Sequence, residues 1–322
     1  MSCLRLWLLI IALWVFPIQA IGATLEETET DCDANNIAQA CYMAGVMYES
    51  GYEGTPLSQN KANHYFEKAC EGGIASGCFN LGNNFVNSKG LPANITAEEK
   101  SEYISKGKDF WIKACDLGNF KACMNYAHAA MQFSKDAKSA AIYYEKACDL
   151  SIQSGCIKAA DIYHLGGGKG NGTLSPTPEK AKELYAKANT LIQKEKTLES
   201  LVRDTDKKIF TDIQIENGSL KYRTNPFPTY WIAHLGDDHT LTLSHIMANF
   251  PDTDEFKKLV QEQDQTLKSN IKIETSAGSD QKYFVLSQLI TLNGEDDAKN
   301  FQTHAIEAYN DLTSFMKIYS PE

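Results

Sequence analysis

The chain has 322 residues, of which 43% are hydrophobic and 22% are charged, a balance typical of globular proteins and not of disordered ones. Its formal net charge is −10, which excludes a general binder of nucleic acid or of anionic membranes, because such binding needs clustered lysine and arginine. The length is enough for about two domains.

The N-terminus has the layout of a cleaved secretory signal peptide. Arg5 precedes eleven apolar residues at 6–16, and the small residues Ala20 and Ala23 follow. Eleven residues are well short of the ~20 that a membrane-spanning helix needs, and no later segment is long and apolar enough to insert. We therefore predict that residues 1–23 are removed and that the mature protein is soluble and extracytoplasmic, either periplasmic or secreted.

Export changes what the cysteines indicate. The chain has nine cysteines, and loss of Cys3 with the signal peptide leaves eight. An even number in an oxidising compartment indicates disulfides, whereas the seven residues that separate most neighbours fit zinc sites poorly. The eight are Cys32, Cys41, Cys70, Cys78, Cys115, Cys123, Cys148 and Cys156.

Three of the cysteine pairs are eight residues apart, as in ACDLGNFKAC at 114–123. Eight residues rise ~12 Å along a helix, whereas a disulfide needs its Cα atoms within roughly 4.4–6.8 Å. A bridge inside a pair therefore requires the chain to reverse, so each pair indicates a turn between two antiparallel helices. The residues that supply this turn are Gly72-Gly73, Gly118-Asn119 and Ser154-Gly155.

Aligning the chain on the first cysteine of each pair reveals an internal repeat. NHYFEKAC, KDFWIKAC, AIYYEKAC and KELYAKAN share an alanine, a lysine and two bulky residues, although the last ends at Asn189 in place of cysteine. These copies are 33 to 45 residues apart, which is typical of two-helix solenoid units. The fourth residue after the second cysteine is always small, so another helix can approach closely. These small residues are Gly45, Gly82, Ala127 and Ala160.

The pattern resembles the Sel-one-like repeat family, a relative of the tetratricopeptide repeats, over about residues 32–195. The paired cysteines resemble those of its disulfide-bridged branch, the Helicobacter-type cysteine-rich αα-repeat proteins. The resemblance implies an all-α αα-solenoid of four two-helix repeats over residues 24–199. Helix A follows the second cysteine of a pair, helix B ends at the first, and each bridge joins one helix B to the next helix A. The implied bridges are Cys32–Cys41, Cys70–Cys78, Cys115–Cys123 and Cys148–Cys156.

The repeats depart from the family pattern in two places, and their predicted boundaries follow local signals. The second repeat is lengthened by LPANITAEEKSEYISKG, and the fourth lacks a closing cysteine. Thr96 with Glu99 predicts a capping box, and Thr177-Pro178 predicts the start of the last helix B. The glycine-rich segment at 166–176 predicts a loop.

The last third of the chain changes from helical periodicity to alternation. TDIQIENGSLKYR predicts a hairpin around Asn217-Gly218, and TYWIAHLGDDHTLTLSHIM predicts a second pair of strands. Residues 253–267 predict a helix, 269–292 two further strands, and the end of the chain a closing helix. We predict a small α+β domain at 200–322 in the order ββββαββα, which the family resemblance does not cover.

The segment HLGDDH is a candidate metal site, in which His234, Asp237, Asp238 and His239 would face one another across a hairpin. A polar turn flanked by strand histidines is the favoured interpretation, because a metal site there needs a third strand that the sequence does not locate. We therefore predict neither a metal nor a cofactor.

The motif Ser-x-x-Lys occurs twice, at Ser58–Lys61 and at Ser105–Lys108. Some proteins of the disulfide-bridged family have been linked to penicillin binding and hydrolysis, so the resemblance gives this motif a possible role. Neither copy is accompanied by Ser-Asp-Asn or Lys-Thr-Gly, and we interpret both as chance. We assign no catalytic residue.

A polar stripe is the best candidate for partner binding. Positions two and five after each helix-A cysteine share one helix face, which would line the concave side of the solenoid and bond to an extended peptide. The alternative is that these residues only form the solvent-exposed face that every solenoid helix has. The residues are Asn80 and Asn83, Asn125 and His128, and Lys158 and Asp161.

Together these patterns predict an exported, non-catalytic scaffold that binds a protein or peptide partner. One alternative, a hydrolase of β-lactams or peptidoglycan-related substrates, rests on the family resemblance alone. In a second alternative, the C-terminal domain is the binding module and the repeats are a spacer.

Overall fold

The computed structural model of the protein describes residues 24–203 apart from residue 93, followed by shorter segments. These segments are 210–216, 219–224, 230–236, 240–247, 258, 270–275, 282–292 and 297–319. The predicted signal peptide at 1–23 and all but Lys258 of the predicted helix at 253–267 lie outside the described residues. The chain divides into two units, residues 1–107 and residues 108–322.

The described part of the first unit is helical. Its helices are α1 (Leu25–Asp33), α2 (Ala38–Ser50), α3 (Gln59–Glu71), α4 (Ala75–Val86) and the first part of α5 (Ala97–Asp116). Helix α1 packs on α2, α2 on α3, and α3 on α4, so neighbours in sequence are neighbours in space. Such local packing is expected of a repeat solenoid.

The second unit continues the repeats. Its helices after α5 are α6 (Phe120–Gln132), α7 (Ala137–Asp149), α8 (Gln153–Leu165) and α9 (Pro178–Val202). Each packs on the next one along the chain. In repeat terms, α2, α4, α6 and α8 are helices A, and α3, α5, α7 and α9 are helices B.

Disulfides close the turn from each helix B into the next helix A, and α1 ends in the first of them. Each bridge joins the end of one helix to the beginning of the next, so the chain reverses inside the bridge. The pairs are those implied by the family resemblance. Their Cα–Cα distances are 4.7 Å for Cys32–Cys41, 4.5 Å for Cys70–Cys78, 4.8 Å for Cys115–Cys123 and 4.5 Å for Cys148–Cys156.

The turn inside each of the four bridges contains one residue with a positive φ, which in the first bridge is Asn36 with φ +53°. Gly73 and Gly118 have φ of +85° and +88°, in the predicted segments. In the last bridge Ser151 takes this role with φ +65°, and the predicted Ser154-Gly155 instead lies in the first turn of α8. That prediction was wrong because Gly155 serves close packing: a Cβ on it would lie 2.9 Å from the Cβ of Ala147.

The predicted helix starts are confirmed. The N–H of Glu99 donates to Oγ1 of Thr96 at 3.1 Å, and the N–H of Thr96 donates to Oε2 of Glu99 at 2.7 Å, which is a capping box. Thr177 is the N-cap of α9 and Pro178 its first residue. The Thr177 hydroxyl bonds to the Ser175 carbonyl, so proline geometry, and not a side-chain cap, begins this helix.

The bulky columns of the repeat form its core. Phe66, Trp111 and Tyr144, which occupy the same repeat position, are buried. In the fourth copy Tyr185 at this position is half-buried, and Leu184 directly before it is buried. The small residues at the fourth position after each second cysteine allow neighbouring helices to touch. At one of them, Gly45, an added Cβ would lie only 2.5 Å from the Cδ1 of Phe66.

An antiparallel sheet and a long helix follow the repeats. The strands are β1 (Phe210–Glu216), β2 (Ser219–Thr224), β3 (Tyr230–Leu235), β4 (Thr240–Met247), β5 (Asn270–Thr275) and β6 (Lys282–Thr291), and the helix is α10 (Asp297–Tyr319). The strand order is β1-β2-β3-β4-β6-β5, with every neighbouring pair antiparallel. The predicted fold class, a disulfide-bridged helical repeat solenoid followed by a small α+β region, is confirmed.

Helix α9 belongs to both parts of the second unit. Leu184 and Leu191 lie in the core of the last repeat, whereas Leu198 and Leu201 lie in one core with the sheet and with Phe301 of α10. The domain boundary predicted between residues 199 and 200 falls inside this helix and stays a prediction. None of the helices in the described ranges has the length and apolar content needed to cross a membrane.

Candidate functional site

The predicted polar stripe is divided between the two units. Asn80 and Asn83 lie on α4 in the first unit, and both are half-buried. The second unit holds the other four, of which Asn125 is half-buried and the rest are exposed. These four are Asn125 and His128 on α6, and Lys158 and Asp161 on α8.

The α8 pair contacts the helices on both sides of it. The Lys158 ammonium lies 5.8 Å from the centre of the Tyr144 ring on α7. The Tyr185 hydroxyl on α9 donates to Oδ1 of Asp161 at 2.5 Å, and this bond raises the pKa of Tyr185. These two side chains therefore hold neighbouring helices as well as facing solvent.

A buried asparagine pair lies beside the stripe and has no counterpart in the sequence prediction. Nδ2 of Asn84 donates to Oδ1 of Asn63 at 2.9 Å, and Nδ2 of Asn63 donates to the carbonyl of Lys89 at 3.0 Å. The pair ties α3 and α4 to the loop after α4, which is a structural role. Neither asparagine belongs to a repeated polar column, so no sequence signal marks the pair.

The repeated lysine forms a ladder of ion pairs that join a helix B to the helix that ends in the preceding bridge. In each rung, the lysine two positions before the aligned site bonds to the aspartate that directly follows the preceding bridge cysteine. The distances are 2.6 Å for Lys68–Asp33, 2.6 Å for Lys146–Asp116 and 2.7 Å for Lys187–Asp149. The hydrogen bond from Lys68 lowers the pKa of Asp33, so that carboxylate stays ionised. Three of the four column lysines therefore link neighbouring repeats through ion pairs.

Two buried tyrosines lie at the N-terminal end of this ladder. Tyr48 and Tyr65 stack with their ring centres 5.8 Å apart, and both hydroxyls donate to Oε1 of Glu29, at 2.6 and 2.9 Å. Burial raises the pKa of Tyr65. A tyrosine kept neutral and bonded to a carboxylate orders α1 against α2 and α3, and it is not an activated nucleophile.

The first Ser-x-x-Lys motif is part of a helix cap. The Ser58 hydroxyl accepts the N–H of Lys61 at 3.5 Å at the start of α3, and the Lys61 ammonium donates to the Tyr48 hydroxyl at 2.8 Å. Ser58 and the Lys61 ammonium thus have separate structural partners. Ser105 is exposed on α5.

The HLGDDH segment is described only in part. Nδ1 of His234, on β3, lies 3.1 Å from the Ser219 hydroxyl on β2. Asp237, Asp238 and His239 lie outside the described residues. In the part of the chain that the structure describes, no three histidine, cysteine, aspartate or glutamate side chains are grouped closely enough to hold a metal ion.

A groove of about 770 Å³ runs along the second half of α9, and we call it the α9 groove. It includes the position where the other repeats carry a bridge cysteine and this repeat carries Asn189. Because α9 continues past this point to Val202, the chain does not turn into another helix A there. Its lining residues are Ser151, Lys187, Asn189, Thr190, Leu191, Gln193, Lys194, Thr197, Leu235 and Gly236.

The α9 groove offers hydrogen-bonding groups at a regular spacing. Asn189 and Gln193 are four residues apart, which corresponds to ~6 Å along a helix and is close to the ~6.7 Å that two residues of an extended peptide span. Each amide can donate and accept, as a peptide backbone requires. The hydroxyls of Thr190 and Thr197 donate to carbonyls of their own helix, so their oxygens face the groove as acceptors only.

The chain matches one family profile and is similar in sequence to known proteins. The Sel1 repeat profile matches residues 38–74, 99–119, 121–151 and 155–191. Cytochrome c oxidase assembly factor 7 of Xenopus tropicalis is 34% identical over 177 residues, which cover 52% of this chain and 71% of that protein. Cytochrome c oxidase assembly factor 7A of Xenopus laevis is 33% identical over the same length and shares of the two chains.

The solved structures that the chain matches are more distant in sequence. A protective antigen of uropathogenic Escherichia coli with an SLR fold has a TM-score of 0.41 at 19% identity, and the match covers 56% of this chain and 36% of that one. Helicobacter pylori cysteine rich protein B has a TM-score of 0.30 at 22% identity, with 42% and 97% covered.

Proposed function

Because this chain belongs to the Sel1 repeat family, we propose that it is a non-catalytic scaffold that binds a protein or peptide partner. Sel1 and tetratricopeptide-like repeats generally mediate protein–protein interactions. The observation that carries the proposal is the α9 groove, with two amides at the repeat distance of an extended backbone. The partner's main chain would bond to Asn189 and Gln193, with the Thr190 and Thr197 oxygens accepting its N–H groups.

The disulfides support an oxidising compartment. Disulfides at each repeat junction need an oxidising environment, since cytosolic thiols are kept reduced. With the signal-peptide pattern at 1–23, this supports export to the periplasm or the exterior.

The test is capture of the partner from the compartment in which the protein resides, with the full-length oxidised chain as bait. Asn189→Ala/Gln193→Ala should lose the partner and keep the wild-type melting temperature, because both side chains lie on an exposed helix surface. Lys196→Ala/Glu199→Ala, two exposed changes on the same helix that do not line the groove, is the matched control.

Two results would redirect the proposal. Loss of the partner with Asn83→Ala/His128→Ala, but not with the groove variant, would move the site to the polar stripe. Equal capture by the groove variant and the Lys196→Ala/Glu199→Ala control would remove the α9 groove from the proposal.

A role in assembling an oxidase is the second candidate, favoured by the 34% identity to cytochrome c oxidase assembly factor 7 of Xenopus tropicalis. Deleting the chain from its native cells should then lower the amount of assembled cytochrome c oxidase. Wild-type chain should restore it, whereas Asn189→Ala/Gln193→Ala should not. Unchanged oxidase in the deletion strain would contradict this role.

A further inference from the structure

A second concave surface lies in the second unit, where the glycine-rich loop at 166–174 meets the end of α6. This pocket has a volume of about 480 Å³, and we call it the loop pocket. It is separate from the α9 groove, because the two share no lining residue. Its lining residues are Met131, Gln132, Lys135, Gly168 and Lys169.

The glycine-rich loop is held in one conformation. Gly167 and Leu174 exchange two backbone hydrogen bonds, of 2.9 and 2.8 Å, which close the loop. Gly168 has φ +90°, and a Cβ there would lie 2.2 Å from the carbonyl oxygen of Gly172. A Cβ on Gly172 would lie 2.7 Å from the Cα of Asp136, so glycine is required where the loop lies against the start of α7.

This loop places two lysines side by side. The N–H of Lys169 donates to the carbonyl of Lys135 at 2.9 Å, both side chains are exposed, and both residues line the pocket. Segments 131–138 and 165–174 together contain three lysines and a single acid, Asp136, in a chain whose net charge is −10. The Asp136 carboxylate is occupied in capping α7 through the N–H of Ser139. The loop pocket is therefore locally basic on an acidic protein.

Two exposed, large apolar side chains lie next to the pocket-lining segments along the chain. Phe133 and Leu165 are 76% and 75% exposed, which is unusual for residues of this size in a folded protein. Phe133 lies two residues after Met131 of the pocket wall, and Leu165 lies two residues before Gly167, at which a Cβ would lie 3.9 Å from the Cε of Met131. Basic and apolar groups thus occur together at one end of the α6–α7 and α8–α9 pairs.

We propose that the loop pocket binds an acidic segment of a partner polypeptide, with carboxylates between Lys135 and Lys169 and a bulky apolar side chain against Phe133 and Leu165. Charge complementarity selects this occupant, because two like charges held together are stabilised by an anion and not by a second basic surface. The inference rests on the proposed scaffold function and specifies the chemistry of the partner.

The experiment measures fluorescence polarisation with short labelled peptides and the full-length oxidised protein. The acidic probe has repeated Glu-Asp-Phe-Gly units, the basic probe has lysine at each acidic position, and the third probe has alanine in place of phenylalanine. Lys135→Glu/Lys169→Glu is the test variant, and Lys182→Glu/Lys196→Glu, which reverses two exposed lysines outside the pocket, is its matched control. Melting temperatures check that both variants fold.

Wild type and the matched control should bind the acidic probe, and Lys135→Glu/Lys169→Glu should weaken that binding about tenfold or more. The same variant should bind the basic probe better than wild type does, and Phe133→Ser should weaken binding of the phenylalanine probe more than of the alanine probe. Equal affinity of the acidic probe for wild type and test variant would overturn the inference, as would equal losses in both charge-reversal variants. If the acidic probe fails while partner capture still depends on Asn189 and Gln193, this inference fails and the scaffold function stands. If the full-length wild-type protein also captures no partner, both this inference and the scaffold function are contradicted.

Discussion

Gly45 of α2 shows how little room one residue position leaves inside a repeat. The helix approaches α3 so closely that a single added methyl group would overlap the Phe66 ring. Alanine is the better helix former by about 1 kcal/mol, so propensity and packing oppose each other at this site. Packing decides the outcome, because the ring is fully buried and has no space into which to move.

Gly45→Ala should therefore lower the free energy of unfolding by about 1–3 kcal/mol, as overpacking of cores does. Urea titration under non-reducing conditions measures the change. The same substitution made in a Phe66→Leu background should cost less, since the shorter side chain leaves room for the methyl group. A cost that is the same in both backgrounds would show that the ring is not the cause.

Ser58 illustrates a residue whose motif and whose contacts point to different roles. Since its hydroxyl caps α3, Ser58→Ala should lower stability by about 1 kcal/mol. Turnover of a chromogenic β-lactam should not change, either in this variant or in the Ser58→Ala/Ser105→Ala double variant. Ser105→Ala is the control, because this exposed mid-helix serine should affect neither stability nor turnover. A clear loss of β-lactam turnover in the double variant would contradict the scaffold function.

At the level of secondary-structure elements, the sequence predicts the helices of the repeats because each helix is determined by signals that are close to it in the chain. The capping box at Thr96, the proline at the start of α9 and the bulky columns all act within one turn or one helix pair. The strand order is also local up to β4, and each of the first three strands pairs with the next one along the chain. Such features are readable from periodicity and spacing.

Other contacts are not readable in this way. Ser154-Gly155 has the composition of a turn, yet Gly155 is selected by a neighbouring helix that periodicity does not reveal. The α9 groove exists because α9 continues where the other repeats turn, and the side chains that line it come from three separate segments of the chain. The loop pocket joins residues more than thirty positions apart through one backbone hydrogen bond between Lys169 and Lys135. These sites depend on long-range packing, which cannot be predicted from the periodicity and spacing of a single sequence.

Each bridge acts on the junction that it closes. Cys148→Ser/Cys156→Ser opens a ~9-residue loop, and the chain-entropy relation gives a loss of about 2.5 kcal/mol. Hydrogen exchange should accelerate first in the last turn of α7 and the first turn of α8. Cys70→Ser/Cys78→Ser is the comparison, with a similar energetic cost but faster exchange at the α3–α4 junction. Uniform acceleration in either variant would contradict the independence of the junctions.

At the scale of the whole molecule, the second half of α9 is the element that distinguishes this chain from a plain stack of repeats. The helix has 25 residues, so its axis is about 37 Å long. Its first half completes the last repeat, and its end is buried beneath the sheet through Leu198 and Leu201. The residues after Cys156 contain no cysteine, so the sheet region and its share of α9 have no covalent link of their own.

Reduction should therefore separate the two kinds of structure. With a thiol reductant, amide protection should fall in the helices joined by bridges and persist in β3, β4 and the last two turns of α9. Hydrogen exchange read by mass spectrometry, with and without reductant, gives this comparison, and a non-reduced sample at the same temperature is the control. Loss of protection in β3 and β4 on reduction would show that the sheet depends on the bridged repeats.

The short span of every bridge also bears on how the molecule is made. The two cysteines of a bridge lie eight or nine residues apart, so they leave a ribosome or a translocation pore almost together. The next cysteine pair has not yet emerged at that point. Oxidation can then proceed in order along the chain, one junction at a time, and each sulfur finds its own partner nearby before a wrong one is within reach. We therefore expect a repeat of this type to need little help from a disulfide isomerase. Lengthening the solenoid by duplication would then add a bridge without adding wrong pairings.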